Sequence, residues 1–65
     1  MKFPPQHEAV MADFMGSLSG LTLEEALLNV ELDAASGGWP RPMVRELASR
    51  VRCHFAKSLS SGRLL

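Results

Sequence analysis

The groups able to do chemistry in this chain are few: Cys53, His7, His54 and seven carboxylates. Cys53 and His54 form the only adjacent cysteine–histidine pair. A zinc site needs three or four such ligands brought together. Here His7 and one carboxylate would have to complete the set. Thiol catalysis needs a histidine from another element as base. Neighbouring side chains on a helix point about 100° apart, so His54 does not serve Cys53. Cys53 is expected on the polar side of its helix and His54 at the edge of the core. The sequence carries no phosphate-binding glycine loop, no nucleophile elbow and no paired carboxylates. Asp13 has no base at useful spacing. The expectation is no metal, no cofactor and no catalytic constellation, and hence a protein that is not an enzyme.

The charges carry more information. Between Phe3 and Trp39 lie six acids (Glu8, Asp13, Glu24, Glu25, Glu31, Asp33) and no base. Between Pro40 and Leu65 lie six bases (Arg41, Arg45, Arg50, Arg52, Lys57, Arg63) and one acid, Glu46. The chain is formally neutral but strongly dipolar. Neutrality excludes a protein driven onto nucleic acid by bulk charge alone. The basic segment can neutralise the acidic one, or contact phosphate or an acidic partner. On a helix, Arg41, Arg45 and Arg52 share one edge, and Arg50 and Lys57 share the other. Trp39, the only tryptophan, follows two glycines and precedes a proline. There it serves either as an exposed anchor for a partner or as a lid over a small core. Trp39, Arg41, Arg45 and Arg52 are the candidate partner-binding residues.

These residues need a scaffold, and composition says what kind. The 65 residues make at most one small domain. Ten Leu, seven Ala and four Met favour helix, and strand formers are scarce, with no Ile and no Tyr. Hydrophobic residues make up 46%, too many for a disordered chain. One cysteine excludes an internal disulfide framework. The longest run free of Asp, Glu, Lys and Arg is the ten residues Phe14 to Leu23. A bilayer span needs roughly twenty, so no membrane span is expected. The N-terminus shows no apolar signal segment, and the expected location is the cytoplasm.

Periodicity predicts three helices. Pro4 and Pro5 end a short extended arm, residues 1–4, and begin a helix over about 5–18. Val10, Met11, Phe14, Met15 and Leu18 form its apolar arc, with His7 inside it. Thr22-Leu23-Glu24-Glu25 fits a capping box with Thr22 as N-cap. That helix runs over about 22–36 and stops at Gly37-Gly38. It carries two apolar stripes. Leu23, Ala26, Leu27, Val30 and Ala34 form the first; Leu28, Leu32 and Ala35 form the second. Pro40 and Pro42 are expected to hold Trp39 and Arg41 out of the α region, with either proline able to open the next helix. The third helix runs over about 41–58, with Met43, Val44, Leu47, Ala48, Val51 and Phe55 on one face. Residues 59–65 are expected as a mobile tail. A helix–turn–helix for DNA lacks the Asn, Gln, Ser or Thr that reads bases near the start of its recognition helix. Methionines 11, 15 and 43 lie on apolar stripes as gap fillers.

The sequence therefore predicts an all-α domain of three short helices, as a small bundle or an interlocked homodimer. A core this small gives little net stability. With no disulfide to supplement it, Leu28, Leu32 and Ala35 are expected against a second subunit. The function expected is a small interaction module acting as adaptor, inhibitor or regulatory subunit. Its partner would present an acidic or apolar surface. The alternative is a nucleic-acid-binding regulator that uses helix 41–58.

Overall fold

A computed structural model describes residues 3–63, and the side chains of residues 3–57. Three helices follow in order: α1 (Pro5–Gly16), α2 (Leu23–Gly37) and α3 (Arg41–Arg63). The described residues contain no strand, so the all-α reading holds. The expected arm and tail continue into residues 1, 2, 64 and 65, which lie outside the described residues.

Pro4 sits at the N-cap of α1 with an extended backbone, and Pro5 is the first helical residue. The Pro4 carbonyl accepts from the N–H groups of His7 and Glu8 at 2.9 and 3.1 Å. Neither proline wastes a donor there, because the first helical N–H groups have no partner within the helix. Phe3 belongs to the expected arm, yet it is half-buried and packs against the core. The helix stops at Gly16, two residues short of the expected end. Both the N–H and the hydroxyl of Ser17 turn back to the Phe14 carbonyl, at 3.0 and 2.8 Å. Gly20 then takes φ of 84°, in a turn closed by Leu21 N–H donating to the Leu18 carbonyl. A side chain with a Cβ rarely adopts that conformation.

The capping box of α2 is present as expected. Thr22 Oγ1 accepts from the Glu25 N–H at 3.1 Å, and Glu25 Oε1 accepts from the Thr22 N–H at 2.9 Å. Gly38 ends the helix in the left-handed region with φ of 65°. At α3 one expectation fails. Pro40 is the residue before the helix, its carbonyl accepting from Met43 and Val44 at 3.1 Å each, and Arg41 is already helical. Pro42 therefore occupies the second helical position rather than the first. It loses no hydrogen bond there, and the preference of a pre-proline residue for extended backbone is overridden. The other correction is length. Helix α3 continues to Arg63, so residues 59–63 extend the helix rather than forming a tail. Ser58, Ser60 and Ser61 lower helix propensity only slightly, Leu59 favours the helix, and one glycine at 62 costs about 1 kcal/mol without breaking it. At 1.5 Å per residue this helix accounts for most of the 41 Å long axis.

The core lies where α1 and α2 pack against α3. Met11, Phe14 and Leu18 meet Ala26 and Val30 over Met43, Leu47 and Val51. Each large side chain buried there contributes about 1.5–3 kcal/mol of transfer free energy. Val10, expected inside the apolar arc of α1, is 38% exposed. It sits about 70° around the helix from the Met11–Phe14–Leu18 stripe, beyond what α3 covers.

Candidate partner-binding surface

Only one stripe of α2 faces the core. Ala26 and Val30 are buried and Leu27 and Ala34 half-buried. Across the helix, Leu28 and Leu32 are 57% and 58% exposed and Ala35 is exposed. These two leucines stand one helical turn apart, so their side chains form one ridge.

A furrow opens between α2 and α3 beside that ridge. One section, of about 460 Å³, has a floor of Leu27, Val30, Val44 and Ala48 and a lip at Leu28. Glu24 and Glu31 line its α2 side and Arg52 its α3 side. A second section, of about 400 Å³, continues toward the α2–α3 turn, between Ala34 and Ala35 on one side and Arg41 on the other, with Trp39 at the end. Glu31 and Val44 line both sections, which makes them one furrow. Val44 and Ala48 fall on the apolar arc of α3 that the sequence assigns to the core. They are half-buried here, because one flanking helix covers only part of a wide arc. Sequence reasoning found the ridge on α2 and missed this floor. The signal was the excess width of the α3 arc.

The basic residues of α3 divide into two groups. Arg50 faces α1 and is held there. Its Nη1 and Nη2 donate to the two carboxylate oxygens of Glu8 at 3.1 and 3.3 Å, and its Nε donates to Glu46 at 2.8 Å. The hydrogen bonds to Glu8 and then Glu46 raise the pKa of the guanidinium above its ordinary value. So Arg50 carries out the charge balancing that the segregated sequence allows. Arg41, Arg45 and Arg52 are exposed, and no ion pair holds them among the described residues. Arg52 and Arg41 line the furrow, whereas Arg45 lies with Arg41, Phe3, Pro42 and Glu46 in a separate depression.

Trp39 is half-buried and packs on the core, closing the end of the bundle as a lid. One edge of it also lines the furrow. Cys53 is exposed as expected. His54, expected at the core edge, is exposed, its ring edge-on to Phe55 at 5.3 Å. Among the described residues no three His, Cys, Asp or Glu side chains gather as a metal site would require. No described helix is long and apolar enough to cross a membrane. The Nδ1 atom of His7 is buried without a hydrogen-bond partner. Compared with known proteins, the chain matches no family model, no curated protein and no solved structure.

Proposed function

We propose that this protein is a small non-enzymatic interaction module that docks another protein chain on its α2/α3 face. The observation that carries this reading is the apolar furrow floored by Leu27, Val44 and Ala48 with exposed Leu28 at its lip, together with exposed Leu32, which stands one turn along α2 beside the furrow. Grooves between helices of this kind take amphipathic segments of a partner. In such a module the partner covers the ridge, and the roles open to it are adaptor, inhibitor or regulatory subunit.

A second reading, a nucleic-acid-binding regulator, draws support from Arg41, Arg45 and Arg52, exposed and without an ion pair among the described residues. Three guanidinium groups are a small phosphate footprint for a formally neutral chain, and two of them border an apolar furrow. Protein docking is the better account.

A photoreactive residue at position 32, compared with one at exposed position 12 on α1, tests the proposal. Crosslinking in the native host should join protein to position 32 and not to position 12. Equal labelling of both positions, or adducts that nuclease digestion removes, would defeat it.

A further inference from the structure

We infer that the occupant of the α2/α3 furrow is an amphipathic helix of a different protein, with an apolar ridge flanked by one basic and one acidic edge. This rests on the docking reading above and names what docks.

The shape selects a helix. The furrow follows α2 from Glu24 to Ala35, about 16 Å or three helical turns. Its lip at Leu28 continues to Leu32 one turn later, the spacing at which a partner helix repeats its own apolar contacts. Two helices flank the furrow, and their backbone N–H and C=O groups are already paired, so an extended peptide finds no ladder to join.

The walls select the charges. Glu24 and Glu31 line the α2 wall, and Arg52 and Arg41 line the α3 wall. No ion pair joins the two walls among the described residues. All four charges are thus available to an incoming helix. A helix seated between them meets carboxylates along one edge and guanidinium groups along the other, which rewards the opposite pattern on the helix itself.

The same arithmetic disfavours a second copy of this chain. A two-fold contact through the leucine ridge lays α2 on α2, and α2 carries Glu24, Glu25, Glu31 and Asp33 with no base. Like charges would face each other around the ridge. Among the described residues, the exposed large apolar side chains are Val10, Leu23, Leu28 and Leu32, all on the acidic helices. Among the described residues, no helix of this chain presents an exposed apolar ridge beside a basic edge.

Three designed helical peptides with identical leucine ridges provide the test, read by fluorescence anisotropy against the full chain. One has a basic and an acidic edge, one has two basic edges and one has two acidic edges. The split-edge peptide should bind best, by about tenfold over either of the others at low salt. The E24K/E31K variant should then prefer the peptide with two acidic edges. E31K alone serves if the double variant loses its helical circular dichroism. Equal binding of all three peptides overturns the inference and leaves the docking reading standing. If no peptide binds and sedimentation shows a dimer that L32D dissociates, the occupant is a second copy and the inference fails while docking stands. Neither peptide binding nor self-association overturns both.

Discussion

A Cβ placed on Gly37 would lie 2.7 Å from Nε1 of Trp39. The indole therefore lies against the last turn of α2, in space that only a glycine leaves free. The backbone N–H of Trp39 donates to the Ala34 carbonyl at 3.0 Å, which ties the tryptophan to the helix it covers. Gly38 supplies the left-handed turn that makes this return possible. Two adjacent glycines thus do different jobs: one bends the chain and the other admits the ring. The same ring closes the core and forms the end of the furrow, so the docking face and the stability of the bundle meet at this turn.

The G37A variant tests that contact. A glycine-to-alanine change at a compatible helical position raises stability by about 0.4–1 kcal/mol. Here the added methyl displaces the indole, and overpacking of this kind costs about 1–3 kcal/mol. The expected result is a lower melting temperature with a shift of tryptophan emission toward that of exposed indole. A more stable variant with unchanged emission would show that the ring does not rest on Gly37.

The capping box gives a second prediction. The T22A variant removes the acceptor for the Glu25 N–H, and the loss should be about 1 kcal/mol. In a domain of this size that lowers the melting temperature by several degrees. Unchanged melting would mean that α2 takes its start from packing instead.

How legible this fold was depends on the range of the interaction involved. Thr22 and Glu25, or Gly37 and Gly38, act within a few residues, and the start and stop of α2 are readable from those types alone. The end of α1 is less so, because Leu18 continues the apolar periodicity and is buried from within a turn. Serines near position 58 read as an ending, but they only weaken a helix, and α3 runs through them. The Glu8–Arg50 pair spans 42 residues, and nothing local in either helix announces it. The furrow is a matter of width. Val44 and Ala48 belong to the apolar arc of α3 in sequence, and only the placement of α2 leaves them partly open.

Arg50 anchors the one ion-paired contact between α1 and α3 among the described residues. Its side chain is a third exposed, so a double-mutant cycle of R50Q and E8Q should give a coupling of no more than about 1 kcal/mol, falling with added salt. The pH dependence follows from the raised pKa of the guanidinium. A cation with a raised folded-state pKa contributes stability that is fully present below its unfolded value and lost as pH climbs through the folded value. That window is strongly alkaline for arginine. The coupling should therefore be the same at neutral and mildly alkaline pH, measured by denaturant unfolding. A coupling that fades in this range would point to another titrating group.

Exposure of Leu32 makes its substitution a test of docking rather than of folding. In the single chain the L32D variant buries no charge, so stability should change by about 0.5 kcal/mol or less, the usual range for surface sites. Binding of the split-edge peptide should be lost. Unfolding of L32D in thermal or denaturant melts would instead mean that the ridge is buried in the protein as it exists in solution.

The three exposed arginines of α3 distinguish the two functional readings, because they do not share one surroundings. Arg52 stands on the furrow wall over Val44 and Ala48, whereas Arg45 lies in the depression beside Phe3 and Pro42. If a protein helix occupies the furrow, R52Q should weaken it mainly through slower association, and R45Q should leave it nearly unchanged. If the row instead follows a phosphate backbone, each arginine is one more neutralised phosphate. R45Q and R52Q should then weaken binding of any duplex alike, and each should reduce its salt dependence by about one counterion. Neither variant should alter stability by more than about 1 kcal/mol, since both side chains are exposed. Association rates with the split-edge peptide, set beside titrations of duplex DNA over a range of salt, separate the two. Protein docking requires the asymmetry between positions 45 and 52 in the first measurement and no binding in the second. Equal losses of duplex affinity, steep in salt, would move the function to nucleic acid.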